Sequence, residues 1–290
     1  MLNLFLALVG IFALFCIVAR LLHRYFVYVP DPTRVAPKDV GLSGVEEIVF
    51  KAADGTRLIA WYSPAQLGKP TLLYFTGNSG NTADRAGKIK AIASDGYGVF
   101  MLNYRRFGGS GGRPSEKRNT ADAVSAYDYL RGLGVAPDDI VIYGESLGTA
   151  VATQLCPQRQ PMALVLEAPF TSVVDVGHLM WPLLPLRFIM VDQYRTVDRI
   201  DQVGVPLFII HGGRDSTIPL NHARRVFHAA AEPKTLSVVP SAGHNDLFEQ
   251  GAWTQVRDFI ANLTPELVVV APVVRAGRPV EAVAAADADR

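Results

Sequence analysis

The sequence predicts an α/β fold in which a mostly parallel sheet of eight strands is flanked by helices, and two observations lead to this prediction. Eight short apolar runs, most of them β-branched or aromatic, have the length and composition of strands. From the third run onward they alternate with longer stretches of helical period, which is typical of the strand–helix–strand units of a parallel sheet. The first two runs have no helix between them and predict an antiparallel start.

These elements cover most of the chain after its first 45 residues. The predicted strands are Glu46–Phe50, Arg57–Tyr62, Thr71–Phe75, Val99–Asn103, Ile140–Tyr143, Met162–Leu166, Pro206–His211 and Leu236–Val239. The predicted helices are Thr82–Ser94, Glu116–Leu133, Leu147–Leu155, Asn221–Ala231 and Asp246–Leu263. The stretch 168–205 interrupts the alternation with an apolar, proline-containing segment, which predicts a small cap.

The composition limits the classes of partner. The chain has 290 residues, which fits one α/β domain with extensions. Its 28 basic and 27 acidic residues leave a net charge of +1, so no nucleic-acid partner is expected. The two cysteines exclude a disulfide framework, and neither lies in a cluster with metal-ligand spacing, so neither a metal nor a cofactor is predicted.

The first residues predict a single-pass membrane anchor. Residues 1–19 carry no charged side chain and would rise about 28 Å as a helix, close to the roughly 30 Å hydrocarbon core of a bilayer. Arg20 and Arg24 follow among aromatic residues, a mixture typical of the headgroup region. The prediction is an anchor over residues 1–22 and a linker over 23–45. A cleaved signal peptide and a buried core helix remain alternatives, although the basic region and small-residue cleavage site of a signal are missing.

A serine stands in a sharp strand-to-helix turn. Gly144 and Gly148 flank Ser146 in the pattern G-x-S-x-G, directly after a predicted strand and at the start of a predicted helix. The glycines are needed because so tight a turn leaves no room for side chains, and the turn exposes the serine as a nucleophile. The pattern alone is weak, since chance produces it in about one chain in ten of this length.

The residues that would activate this serine follow in the required order. Asp215 comes just after the predicted strand Pro206–His211, and His244 lies in a loop after the last predicted strand. A nucleophile, an acid and a histidine at the carboxyl ends of parallel strands are expected to meet at one edge of the sheet. We therefore predict that Ser146, Asp215 and His244 form a catalytic triad. His211 is expected to be a structural histidine.

With these motifs the sequence resembles the α/β-hydrolase superfamily. The resemblance is closest to its small membrane-anchored branch, whose members carry an H-G-N-x-G-N loop, a Y-R-G-x-G-x-S-x-G stretch and the G-x-S-x-G elbow. It covers roughly residues 46–263, where the order of strands and motifs holds. The resemblance implies an α/β-hydrolase fold, a catalytic domain over 46–263 with its cap at 168–205, and a tail over 264–290 that we expect to be mostly disordered.

The resemblance also implies an oxyanion hole. The first loop here reads Thr76-Gly77-Asn78-Ser79-Gly80-Asn81. In the family this loop supplies a backbone amide, which carries over to the N–H of Asn78, beside that of Leu147 after the nucleophile. The chain departs from the family pattern at Thr76, where histidine is usual, and at Arg106 in the second motif, where glycine is usual.

The expected activity is a serine hydrolase that cleaves a carboxylic ester or thioester. An apolar cap and a membrane anchor both suit an acyl substrate, which would be a small molecule, a lipid or a lipidated protein. A serine peptidase of the same fold and a non-catalytic membrane-anchored binding module are the alternatives. Met180, Trp181 and Leu183 of the cap are predicted to line the substrate pocket. The cations after the anchor predict a cytoplasmic catalytic domain by the positive-inside rule.

Overall fold

The computed structural model describes residues 1–263, and the predicted disordered tail lies outside them. One sheet of eight strands forms the centre of the molecule. Its strands in chain order are β1 Glu46–Lys51, β2 Arg57–Ser63, β3 Thr71–Phe75, β4 Gly98–Asn103, β5 Ile140–Glu145, β6 Ala163–Glu167, β7 Leu207–Gly212 and β8 Lys234–Val239. Each lies within two residues of its predicted bounds.

The strand order across the sheet is β8-β7-β6-β5-β3-β4-β2-β1. β2 pairs antiparallel with β1 and with β4, whereas all other neighbouring pairs are parallel. The predicted mostly parallel sheet with an antiparallel start is therefore confirmed. This topology brings the carboxyl ends of β3, β5, β6, β7 and β8 to one edge, which is where ligands of open α/β sheets bind.

Helices cover both faces of the sheet. They are α1 Leu2–Val27, α2 Ala86–Ser94, α3 Glu116–Gly132, α4 Leu147–Leu155, α5 Val173–Met180, α6 Leu186–Ile189, α7 Asn221–Ala229 and α8 Trp253–Leu263. Two predicted helices begin later in the structure than expected. Residues 82–85 form a 3-10 turn before α2, with the side chain of Asn81 accepting a hydrogen bond from the N–H of Ala83. The last helix begins at Trp253 because Gly251 adopts a left-handed conformation, with φ of 95°.

Alternate side chains of the central strands build two apolar clusters, one on each face of the sheet. In β3, Leu73 and Phe75 belong to one cluster, and Leu72 and Tyr74 belong to the other. All five residues of β3 are buried, as expected for a parallel strand covered on both faces. The sheet is therefore a rigid support for the loops at its edge.

The N-terminal helix α1 is long and apolar enough to cross a membrane, and its apolar stretch is exposed except at Cys16 and Ala19, which are partly buried. It continues to Val27, five residues beyond the predicted end of the anchor, because the first helix-breaking residue is Pro30. The following segment is not an irregular linker. Val29 and Pro30 pair with Ser79 and Gly80 as a short parallel two-stranded ladder.

Candidate active site

Ser146 occupies the tight turn between β5 and α4. Its backbone φ of 51° and ψ of −116° are unusual for a residue with a side chain. A Cβ atom on Gly148 would lie 2.1 Å from the carbonyl oxygen of Phe75, and one on Gly144 would lie 2.5 Å from that of Gly148. Neither site has room for a side chain, which explains both glycines of the motif and the strained, protruding serine.

The structure brings the three predicted triad residues together at the carboxyl edge of the sheet. Nε2 of His244 lies 3.1 Å from Oγ of Ser146, and Nδ1 of His244 lies 2.7 Å from Oδ2 of Asp215. Because a carboxylate lies beside Nδ1, the single N–H proton of the neutral ring is on Nδ1. Nε2 is then free to accept the hydrogen of the serine hydroxyl. This arrangement can draw the proton from Ser146 when its oxygen attacks an electrophile.

The Asp215 carboxylate is buried and held by its own loop. Its Oδ1 accepts hydrogen bonds from the N–H groups of Thr217 at 2.9 Å and Ile218 at 2.8 Å. Burial alone would raise the pKa of Asp215, but the hydrogen bonds from His244 and the Ile218 N–H outweigh it and lower the pKa below its ordinary value. Asp215 is therefore ionised at neutral pH and can stabilise a protonated His244.

His211 contacts the loop that carries Asp215. Its Nε2 lies 2.8 Å from the carbonyl oxygen of Ile218 and 3.4 Å from Oδ2 of Asp215. Burial lowers the pKa of His211, so its ring is neutral at pH 7 and donates through Nε2. Its Nδ1 has no hydrogen-bond partner within residues 1–263. The ring lies beside the triad aspartate and away from the serine.

The Thr76–Asn81 loop lies against Ser146. A Cβ atom on Gly77 would be 3.6 Å from Cβ of Ser146. Among the hydrogen bonds of residues 1–263, none uses the backbone N–H of Asn78 or of Leu147. An oxyanion requires unpaired donors of this kind, and Leu147 also begins a helix, whose dipole favours negative charge.

The segment that follows α1 holds this loop in place. The N–H of Val29 donates to the carbonyl of Asn78 at 2.9 Å, and the side-chain amide of Asn78 donates to the carbonyl of Val27 at 2.9 Å. The N–H of Asp31 donates to the carbonyl of Gly80 at 3.1 Å. The Thr76 hydroxyl makes none of the hydrogen bonds of the described chain, although the Thr76 carbonyl accepts one from the hydroxyl of Tyr104 at 3.1 Å. The contacts that hold the loop therefore do not involve the side chain that departs from the family pattern.

Arg106 also departs from the family pattern, and the backbone explains why glycine is usual there. Its φ is 72°, in the left-handed region that costs a residue with a side chain roughly 1–2 kcal/mol. Its N–H donates to the carbonyl of Ser110 at 3.0 Å, and its side chain is exposed. The substitution therefore strains the turn without placing an arginine among the triad residues.

A buried network of charges lies behind the elbow, and sequence reasoning missed it. Nζ of Lys88 lies 2.9 Å from Oε2 of Glu145 and 3.0 Å from Oε1 of Glu167, and Arg85 contacts the other oxygen of Glu145 at 3.1 Å. The hydroxyl of Tyr74 donates to Glu145 at 2.6 Å. Glu145 precedes the nucleophile in the motif, but Lys88 and Glu167 come from distant parts of the chain, so only folding reveals the cluster.

This network determines the ionisation of Glu145. Burial would raise the pKa of Glu145, but the nearby charges of Lys88 and Arg85 outweigh it and lower the pKa to about 2. Those same carboxylates raise the pKa of Lys88 against the effect of its burial. The backbone N–H of Ser146 donates to the carbonyl of Glu167 at 2.9 Å, so the network is joined to the nucleophile through the main chain.

The predicted pocket residues of the cap lie on the surface. Met180, Trp181 and Leu183 are exposed, Leu183 almost fully, because the chain from α5 to α6 passes over the surface. Their role in binding a substrate stays a prediction. A cavity of about 1480 Å³, lined by Lys69, Tyr97 and others, opens at the amino ends of the strands, opposite the triad.

Comparisons with known proteins agree with this fold. No protein-family model matches the chain. An uncharacterised protein of Mycobacterium tuberculosis is 42% identical over 227 residues, which cover 77% of this chain and 81% of that protein. The α/β-hydrolase domain-containing protein WAV2 of Arabidopsis thaliana is 31% identical, covering 76% of this chain and 80% of that protein. The lysophosphatidylserine lipase ABHD12 of Danio rerio is 28% identical, covering 76% of this chain and 68% of that protein.

Solved structures show the same architecture. An esterase of Pyrococcus furiosus superposes with a TM-score of 0.64 at 18% identity, covering 81% of this chain and 97% of that one. The α/β hydrolase GrgF of Penicillium superposes with a TM-score of 0.65 at 15% identity, covering 76% of this chain and 99% of that one. The sheet order, the strand-to-helix elbow and the sequence relatives lead to one conclusion: the chain belongs to the α/β-hydrolase family.

Proposed function

We propose that this chain is a membrane-anchored serine hydrolase that cleaves a carboxylic ester or thioester through an acyl-enzyme. The observation that carries the proposal is the hydrogen-bonded relay from Ser146 through His244 to Asp215, with separations of 3.1 and 2.7 Å. Its order and geometry are those in which a serine hydroxyl is activated as a nucleophile.

In this mechanism Oγ of Ser146 attacks the acyl carbonyl while Nε2 of His244 takes the hydroxyl proton. The buried carboxylate of Asp215 keeps the ring oriented and stabilises its positive charge. The N–H groups of Asn78 and Leu147 donate to the oxyanion, and His244 then gives its proton to the leaving group. Water activated by His244 hydrolyses the acyl-enzyme and restores Ser146.

Two observations favour an acyl substrate over a peptide. The cap presents exposed apolar side chains, and one relative is a lysophosphatidylserine lipase. A peptidase would instead require charged groups to receive a peptide terminus, and the cap's exposed face is mostly apolar. A comparison of acyl esters and thioesters with aminoacyl amides as substrates decides between these activities. Faster cleavage of the amides would favour the peptidase.

The nucleophile is tested with a fluorophosphonate probe on membranes that contain the full-length protein. We expect labelling of the wild type and none of Ser146→Ala, whose kcat for an acyl ester should fall by about 10⁶ if the triad acts as a unit. The kcat of His244→Ala for the same ester should fall by a similar factor. Labelling of the Ser146 variant would refute the assignment. A wild type that neither reacts with the probe nor cleaves esters would favour a binding module.

The proposed location follows from α1 and its flanking charges. The contacts of Val27, Val29 and Asp31 with the oxyanion loop support a retained anchor, because they join the end of α1 to the catalytic domain. Arg20 and Arg24 follow the apolar stretch and favour a cytoplasmic domain. Protease added to intact cells should leave the domain uncut, whereas its degradation would mean that the site faces outward.

A further inference from the structure

The cap carries a concentrated set of exposed apolar side chains. Elsewhere in residues 28–263 the exposed large hydrophobic side chains are scattered singly over the surface, as is ordinary. In the cap they follow one another along a short segment, which we name the cap apolar face. Its members are Leu179, Met180, Trp181, Leu183, Phe188 and Val191, exposed by 54, 70, 58, 95, 75 and 47%.

The cap apolar face adjoins the helix that would cross the membrane. α6 packs against α1, and Nη1 of Arg20 donates to the carbonyl of Phe188 at 2.7 Å. Cys16 and Ala19, still within the apolar stretch of α1, pack against the apolar cluster that includes Leu186 of the cap. The domain therefore contacts α1 on both sides of the first charged residue of this helix, and α6 of the cap is among the elements that contact it.

These contacts give the depth of the cap. Arg20 is the first charged side chain after the apolar stretch, so the boundary of the hydrocarbon layer lies near its level. Cys16 precedes it by four residues, about 6 Å along a helix at 1.5 Å per residue. Contact between helix and domain thus extends about 6 Å from that boundary into the hydrocarbon layer. Apolar side chains that bind at a bilayer surface reach a similar depth of roughly 5–10 Å.

An ion pair and hydrogen bonds also fix the cap to the part of the chain that follows Arg20. Nε of Arg24 lies 2.8 Å from Oδ2 of Asp192, whose side chain is buried, and the hydroxyl of Tyr28 donates to the same oxygen at 3.1 Å. The N–H of Asp192 contacts Nε2 of His23 at 3.4 Å. The end of α1 and the segment after α6 are consequently one unit, so anchoring the helix also places the cap.

From this geometry we infer that the cap apolar face is embedded in the interfacial layer of the lipid bilayer that holds α1, and that the enzyme receives its acyl ester from that bilayer. The inference rests on the proposed anchor and hydrolase function. The cap follows β6 directly, and the last residue of β6, Glu167, accepts the N–H of Ser146. The embedded cap and the nucleophile therefore lie at the same edge of the sheet.

Tryptophan fluorescence measures the embedding directly. Trp181 is exposed on the cap, whereas Trp61 and Trp253 are buried in the domain. In phosphatidylcholine vesicles brominated near the ester end of the acyl chains, we expect the full-length protein to be quenched and Trp181→Phe to lose most of that quenching. Equal quenching of the two proteins would overturn the inference.

A second measurement connects the surface to substrate supply. Phe188→Ser combined with Val191→Ser should slow hydrolysis of a long-chain ester in vesicles by at least about tenfold, with less than about a twofold change for soluble p-nitrophenyl acetate. Leu67→Ser combined with Leu133→Ser is the matched control, because both side chains are exposed away from the cap. Equal loss on both esters, or equal effects of the two pairs, would refute delivery from the bilayer.

The outcomes separate this inference from the proposals beneath it. If carbonate washing releases the wild type from vesicles, the anchor and the inference both fail. If the protein is retained but Trp181 is not quenched, the anchor stands and the embedded cap is wrong. If neither ester is cleaved, the hydrolase assignment and delivery of an ester fail, and quenching alone decides the position of the cap.

Discussion

Lys88→Met is expected to destabilise the protein strongly, because it removes the cation between two buried carboxylates. Lys88 lies 2.9 Å from Glu145 and 3.0 Å from Glu167, and the exposed fractions of the three side chains are 12, 16 and 2%. After the substitution Arg85 still faces Glu145, but Glu167 keeps no cation. Breaking a buried pair by removing one partner costs about 3–5 kcal/mol, which corresponds to roughly 6–20 °C in Tm for a domain of this size.

Thermal unfolding of the full-length protein in detergent micelles, followed by circular dichroism, measures this effect. Lys90→Met is the matched control, since Lys90 lies on the same helix but is exposed, and we expect its Tm to change by less than about 2 °C. Adding Glu167→Gln to Lys88→Met should recover part of the loss, because it removes the unpaired charge.

The pH dependence supplies an independent readout. Lys88 and Arg85 lower the pKa of Glu145 from 4.5 to about 2, so the folded protein keeps this carboxylate ionised where the unfolded chain takes up a proton. The stability that this provides is present above pH 4.5 and is lost as the pH falls towards 2. Without Lys88 the pKa of Glu145 in the folded protein rises, so less stability is lost as the pH falls. If the Tm of Lys88→Met lies within about 2 °C of that of Lys90→Met, and its stability falls with pH as in the wild type, the reasoning is refuted.

Two further predictions concern the catalytic groups. Asp215→Asn should lower kcat for an acyl ester by about 10⁴ with little change in Tm, because the ring of His244 would lose its anionic partner and its required tautomer. A loss below about tenfold would contradict the role of Asp215. Val29→Pro deletes the N–H that supports the Asn78 carbonyl, worth about 0.5–1.5 kcal/mol, so kcat should fall roughly two- to tenfold while KM changes less. Val29→Ala keeps that N–H and serves as the control, and equal rates for the two variants would show that this bond does not position the loop.

The sequence by itself determined the strand pattern and the order of the triad residues. Strands such as Thr71–Phe75 could be recognised because a strand buried on both faces must be continuously apolar, which is a local property of the chain. The elbow around Ser146 was recognised from an equally local pattern, although the space at Gly148 is limited by the carbonyl oxygen of Phe75 on another strand. The predicted start of the last helix was wrong because a single residue, Gly251, interrupts the helical conformation before α8.

Only the tertiary structure decided which side chains meet. The pairing of Lys88 with Glu167 and the support of Asn78 by Val27 and Val29 join residues far apart in sequence, so no local pattern records them. The same limit applies to the cap. Its apolar composition was visible in the sequence, but apolar side chains look alike there whether they line a pocket or face outward. Only the structure shows that Trp181 and its neighbours are exposed and that the following helix α6 packs against α1.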